Sequence, residues 1–184
     1  MKIRLVLLFV LVFTGGAGRA IAGPAALWVD VPFVAQSKDG CGPAAISMVM
    51  QYWENRAGPP ASGLSNLDRI QAAFHARADG GIAASDMERY FRASGYRVLA
   101  FQGTWSDLQH HLQAGRPLIV SLKASGAWGP LHYVVVVGID VQRNFVFLND
   151  PAKQKLLRIS REGFESEWNP MNNWILLALP QPRS

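Results

Sequence analysis

The sequence predicts a single α+β domain, with helices toward the N-terminal side packed on a mostly antiparallel sheet. Three observations lead there. An almost wholly apolar stretch runs from Pro43 to Trp53 at helical length, whereas the second half carries short runs of β-branched residues separated by polar turns. The composition, 49% apolar and 17% charged over 184 residues, suits one continuous core and argues against long disorder or a repeat array.

The first element reads as a targeting segment. Lys2 and Arg4 precede nine uninterrupted apolar residues, Leu5 to Phe13, and Ala20-Ile21-Ala22 offers small side chains for cleavage before Gly23. Residues 1–22 are therefore expected to be a signal peptide and residues 23–184 the exported domain, periplasmic or extracellular. The apolar run is too short to span a bilayer comfortably, and Gly23 stands where a lipoprotein would need cysteine, so no stable membrane anchor is expected after cleavage. The formal charge of +5 loses Lys2, Arg4 and Arg19 with that segment, leaving 15 Lys and Arg against 13 Asp and Glu. Such a balance, without a basic run, excludes nucleic acid as the expected partner.

Helices are expected from Pro43 onward, over Asn66 to Arg77, over Asp86 to Ala93 and over Trp105 to Ala114. Pro43 suits a first helical turn, Ser85-Asp86-Met87-Glu88 has capping-box spacing, and Gly95 and Gly115 supply stops. Strands are expected at Tyr96 to Phe101, Pro117 to Lys123, His132 to Asp140, Asn144 to Pro151, Lys155 to Ile159 and Trp174 to Leu179. The segment between Asp140 and Asn144 is short and polar enough for a hairpin turn.

Chemistry enters with Cys41, the only cysteine. An exported chain in an oxidising compartment ordinarily pairs its thiols, and this one has no internal partner. Cys41 sits at a helix start, where unpaired amides and the helix dipole favour thiolate, and the glycines at 40 and 42 leave room for a substrate chain to approach. A buried structural cysteine has no need of those glycines. Of the four histidines, His75, His110 and His111 lie in helical segments without metal-ligand spacing, so no metal site is expected there. His132 opens a strand. Pairing across the predicted hairpin brings Asp150 level with Tyr133 or Val134, within reach of His132, with Asn149 and Asp140 as alternatives if the register differs. Cys41 as nucleophile, His132 as base and Asp150 as the group that orients the ring are the parts of an acyl-transfer site. The backbone N–H of Cys41 and the side-chain amide of Gln36 are candidate oxyanion donors.

These residues carry a resemblance. Val31-Pro32-Phe33, Gln36, Cys41-Gly42-Pro43-Ala44-Ala45, His132-Tyr133-Val134-Val135-Val136 and Asn149-Asp150-Pro151, with Gly80-Gly81-Ile82 and Gly115-Arg116-Pro117 between them, resemble the bacteriocin-processing, double-glycine leader peptidase family of papain-like cysteine peptidases. The resemblance implies a papain-like fold, cleavage of peptide or protein substrates without a cofactor, and the family's Gln, Cys, His and Asp at Gln36, Cys41, His132 and Asp150. The best-known members are cytoplasmic domains fused to an export transporter. This sequence has neither membrane spans nor a Gly-rich phosphate loop and is closer to free-standing exported members. The other functional class is a catalytically idle peptide-binding or interaction module of a secretion system. Trp128, in the Gly-containing stretch before His132, is expected to overhang the base and order on substrate binding.

Overall fold

The structure is a computed structural model that describes residues 26–37, 40–57, 63–74, 81–123 and 131–181. Residues 1–22, His75 and Trp128 lie outside the described residues, and the expectations placed on them with it. In chain order the elements are β1 (Ala26–Trp28), α1 (Cys41–Ala57), α2 (Leu67–Phe74), α3 (Ala84–Ala93), β2 (Tyr96–Gln102), α4 (Trp105–Gln113), β3 (Leu118–Lys123), β4 (Leu131–Asp140), β5 (Phe145–Asn149), β6 (Leu157–Ser160), α5 (Arg161–Trp168), a 3₁₀ turn (Asn169–Met171) and β7 (Trp174–Pro180). The strands form one sheet in the order β2-β7-β3-β4-β5-β6, with β1 paired to β4, and every pairing is antiparallel.

Helix α1 is the central helix. Every residue from Cys41 to Met50 is buried, because its apolar side chains pack on β4 and on α2 and α3 around it. It begins at Cys41, two residues before Pro43, and its first turn closes with Ala44 N–H donating to Gly40 O at 3.0 Å. Pro43 falls inside that turn, where a missing N–H goes unnoticed.

Strand β4 is buried from Tyr133 through Ile139. Its hairpin to β5 turns where Asp140 Oδ1 accepts the Arg143 N–H at 2.9 Å and Asn144 takes a left-handed φ of 54°. The ladder then slips by one residue between Val136 and Gly138, a bulge at Val137. The bulged residue's carbonyl accepts the Val29 N–H at 2.8 Å, so β1 satisfies the group that the slip would orphan. Trp28 pairs with Gly138, and a Cβ on that glycine would lie 2.5 Å from a Trp28 ring carbon. Only glycine lets β1 close down on the bulge.

Several expectations are corrected. Helix α3 starts at Ala84 with Ala83 as its cap and no side-chain cap bond, so the capping box at Ser85–Glu88 does not form. The backbone carbonyl of Ala83 already accepts the N–H groups of Asp86 and Met87, which places Ser85 inside the helix. A complete box occurs instead at Thr104 and Asp107, heading α4. Strand β6 begins at Leu157 rather than Lys155, because Leu156 has a left-handed φ of 59° that no strand accommodates. Three elements were not expected: three-residue β1, the 3₁₀ turn Asn169–Met171, and α5, which Ser160 caps by accepting the Gly163 N–H at 3.1 Å. Its Phe164 and Trp168 are fully buried, and their packing overrides the helix-weakening Gly163.

Candidate active site

Cys41 stands at the start of α1 with 9% of its surface exposed, and His132 is the second residue of β4. The sulfur meets the His132 ring and the backbone N–H groups of Tyr133 and Gly42. The Tyr133 N–H is available because β5 stops pairing at Asn149, level with Val135, and leaves that edge of β4 open. On the other side of the ring, His132 Nε2 lies 2.7 Å from Asp150 Oδ1, which leaves Nδ1 as the nitrogen turned to sulfur.

The bulge decides which acid reaches the ring. Continuing the observed register one step sets Asp150 level with Val134, on the face of β4 that also carries His132. Without the extra residue at Val137, Asp150 would fall level with Val135, on the opposite face. Asn149 and Asp140, the two alternatives, are engaged elsewhere: Asn149 Nδ2 donates to Val31 O at 3.0 Å, and Asp140 holds the hairpin turn. Asp150 is 1% exposed, and its Oδ1 also accepts the Ala152 N–H at 3.0 Å while Oδ2 lies 3.5 Å from Lys153 Nζ.

Electrostatics follow from this packing. Burial alone would raise the Cys41 thiol, but the His132 hydrogen bond, the Tyr133 N–H, the ring's charge and the Gly42 N–H outweigh it, and the thiol is held below its ordinary value. Burial would likewise lower the His132 ring, yet hydrogen bonds to Asp150 and Cys41 and their negative charges raise it from 6.5 to about 9. For Asp150, burial is opposed and outweighed by the His132 hydrogen bond and charge, the Ala152 N–H and Lys153, so its carboxyl lies below the usual range. Both shifts run in the direction that favours thiolate beside imidazolium. The phenol of Tyr133 is pushed up to about 12, by burial first and then by Cys41.

Gln36 reaches the site along a separate segment. Its backbone N–H donates to Pro151 O at 2.9 Å, which ties it to the residue after Asp150. Its side-chain Oε1 is buried with no hydrogen-bond partner among the described residues. The structure thus gathers Cys41, His132 and Asp150 into contact and brings the Gln36 backbone alongside. His110 and His111 sit on α4 with their rings edge to face at 5.3 Å, and the His111 ring lies tilted against Phe101 at 6.1 Å. Among the described residues no group of three or more His, Cys, Asp or Glu is placed to hold a metal.

Sequence reasoning missed three contributors. The Tyr133 N–H and Lys153 carry no side-chain pattern that announces them. Ile82 is the third: its side chain lies where a Cβ on Gly42 would stand, at 2.4 Å, so the glycine after Cys41 serves close packing of the segment leading into α3.

Residues 28–175 match the model described as the Peptidase_C39 like family. The chain belongs to that family. No curated protein matches it by sequence. Among solved structures, it is similar to the peptidase domain of Streptococcus ComA, a bifunctional ABC transporter involved in quorum sensing, at TM-score 0.62 and 21% identity over 83% of this chain and 100% of that one. A Bacillus anthracis protein classed as C39-like gives TM-score 0.60 and 17% identity, over 86% and 99%. The peptidase domain of Streptococcus mutans ComA gives 0.52 and 21%, over 80% and 98%. At these identities the likeness establishes the fold: this C39-like chain is a papain-like α+β domain, with the cysteine on a helix and the histidine on the sheet.

Proposed function

We propose that this chain is an exported cysteine peptidase that hydrolyses peptide bonds through Cys41, His132 and Asp150, in the manner of the double-glycine leader peptidases. The observation that carries the reading is the continuous contact from sulfur to imidazole to a buried carboxylate, with Nε2 and Oδ1 2.7 Å apart. Membership of a peptidase family and the likeness to the ComA peptidase domains support it. Among the described residues no helix is long and apolar enough to cross a membrane.

In this reading the Cys41 thiolate attacks the scissile carbonyl carbon, and the carbonyl π electrons move to oxygen. The Cys41 N–H, which has no intrahelical acceptor at the first helical position, and the Gln36 side-chain amide donate to that oxyanion. As the carbon–nitrogen bond breaks, His132 Nδ1 gives its proton to the departing amine, leaving a thioester on Cys41. Water then loses a proton to Nδ1 and attacks the thioester, and collapse releases the carboxylic acid product and restores thiolate and imidazolium. Asp150 holds the ring orientation through Nε2 and stabilises its charged form. Export rests on the charged start, apolar run and small-residue site of residues 1–22.

The test is cleavage of a peptide library, including Gly-Gly-containing leaders, by residues 23–184 and by its Cys41→Ala variant, read by mass spectrometry. Defined products from the wild type that vanish in Cys41→Ala are expected. Equal cleavage by both would remove Cys41 from the mechanism, and no cleavage by either would leave a peptide-binding module.

A further inference from the structure

Asn149 precedes Asp150, yet its side chain is turned from the imidazole and is fully buried. It makes two hydrogen bonds to different parts of the chain. Nδ2 donates to Val31 O at 3.0 Å, and Oδ1 accepts the Leu156 N–H at 3.2 Å. Val31 opens the extended stretch that ends at Gln36, whose N–H in turn donates to Pro151 O at 2.9 Å. Leu156 closes the loop that begins at Asp150. Inside that loop Asp150 N–H donates to Gln154 O at 3.1 Å, Lys153 N–H donates to Asp150 O at 3.0 Å, and Ala152 N–H donates to the carboxylate itself.

The loop is not relaxed. Leu156 is a bulky residue at φ 59°, a left-handed conformation that ordinarily falls to Gly or Asn and persists only where surrounding contacts enforce it. The enforcing contact is the hydrogen bond from its N–H to Asn149. Asparagine is also the side chain the position requires: a donor for Val31 O and an acceptor for the Leu156 N–H, on a short stem. Aspartate at neutral pH lacks the donor, and leucine, of similar size, lacks both.

We propose that Asn149 is a positioning residue of this site, a clasp between the Gln36 segment and the Asp150–Leu156 loop that fixes the Asp150 carboxylate against His132. The inference rests on the peptidase reading above and adds a residue to it. Asn149 touches neither the sulfur nor the ring and acts only through Asp150 and the Gln36 segment. Among the described residues the titratable and charged groups around the ring are Cys41, Asp150 and, beyond Asp150, Lys153, and the charge of Cys41 also acts on the Tyr133 phenol.

The experiment measures the rate of Cys41 alkylation by iodoacetamide against pH in the wild type, Asn149→Leu and Asn149→Ser, with thermal unfolding of each recorded separately. A loosened carboxylate weakens the imidazolium that holds the thiolate. The acid limb of the profile is therefore expected to move up by about one pH unit in both variants, so that below the limb alkylation is up to about tenfold slower than in the wild type. A purely structural role would lower the unfolding midpoint without moving that limb. Profiles that superimpose on the wild type in the folded variants overturn the proposal. If Asn149→Leu does not fold, the milder Asn149→Ser decides alone. A wild type that itself reacts as an ordinary thiol overturns the Cys41–His132 reading and the clasp with it, an outcome distinct from a shifted wild type with unmoved variants.

Discussion

Asp150→Asn isolates the charge of the site from its shape. The Ala152 N–H donates to Asp150 Oδ1, so in the variant the amide oxygen is the atom that stays at that position, still 2.7 Å from Nε2, and the amide nitrogen takes the outer position near Lys153. Geometry is retained and the negative charge is lost. The His132 ring is raised from 6.5 to about 9 in the intact site, a preference for the charged ring of about 3 kcal/mol at roughly 1.4 kcal/mol per pH unit. Asp150 and Cys41 both raise the ring against the opposing burial, so removing the carboxylate's charge is expected to bring it down from about 9 toward 6.5, on the order of one pH unit. The pH profile of kcat/KM for peptide cleavage is therefore expected to be a bell. Its alkaline limb lies near 9, where the ring loses its proton, and its acid limb lies where Cys41 takes one up. In Asp150→Asn both limbs move inward, the alkaline limb by about one pH unit, and the maximum falls. The assay is initial-rate kinetics from pH 5 to 10 on a fluorogenic peptide chosen from the library products. An alkaline limb that stays near 9 in the variant would show that the carboxylate does not support the imidazolium, and the reasoning would be refuted.

Gln36→Ala is expected to lower kcat by roughly 10² to 10³ with KM little changed, the signature of a lost oxyanion donor; an unchanged kcat would return Gln36 to the loop. Gly138→Val is expected to destabilise the fold by about 1–3 kcal/mol in urea unfolding, since its Cβ would stand 2.5 Å from the Trp28 ring and 3.0 Å from Leu27 O, and wild-type stability would contradict the account of how β1 closes on the bulge. Trp168→Ala removes a ring that is 1% exposed and whose Nε1 donates to Trp174 O at 3.2 Å, so a loss of about 3–5 kcal/mol is expected by the same measurement, and a loss under ~1 kcal/mol would contradict the packing of α5.

The helix carrying Cys41, the hairpin carrying His132 and Asp150, and the antiparallel sheet were legible because each rests on local physics: an apolar helical stretch ended by turn residues, dense β-branching in Tyr133–Val137, and a polar turn at Asp140–Asn144. What the sequence could not show is non-local. The bulge at Val137 is stabilised by Val29, more than a hundred positions away, and nothing in the run of valines distinguishes the slipped residue from its neighbours. The same holds for α5, where Gly163 and Asn169-Pro170 argue against a helix and two buried aromatics override them. Leu156 reads as a strand residue by type and takes a left-handed turn because Asn149 holds its N–H. For the site, Cys41 was marked by its glycines and helix start, but the separation of Asp150 from Asn149 and Asp140 depends on that one-residue slip.

The central claim is that the His132 ring holds the Cys41 thiol below its ordinary range. Alkylation of Cys41 by iodoacetamide at pH 6, compared between the wild type and His132→Ala by intact-mass spectrometry, tests it most directly. The account predicts rapid labelling of the wild type and labelling slower by tenfold or more in His132→Ala, with both proteins folded. Equal, slow labelling of the two at pH 6 would contradict it.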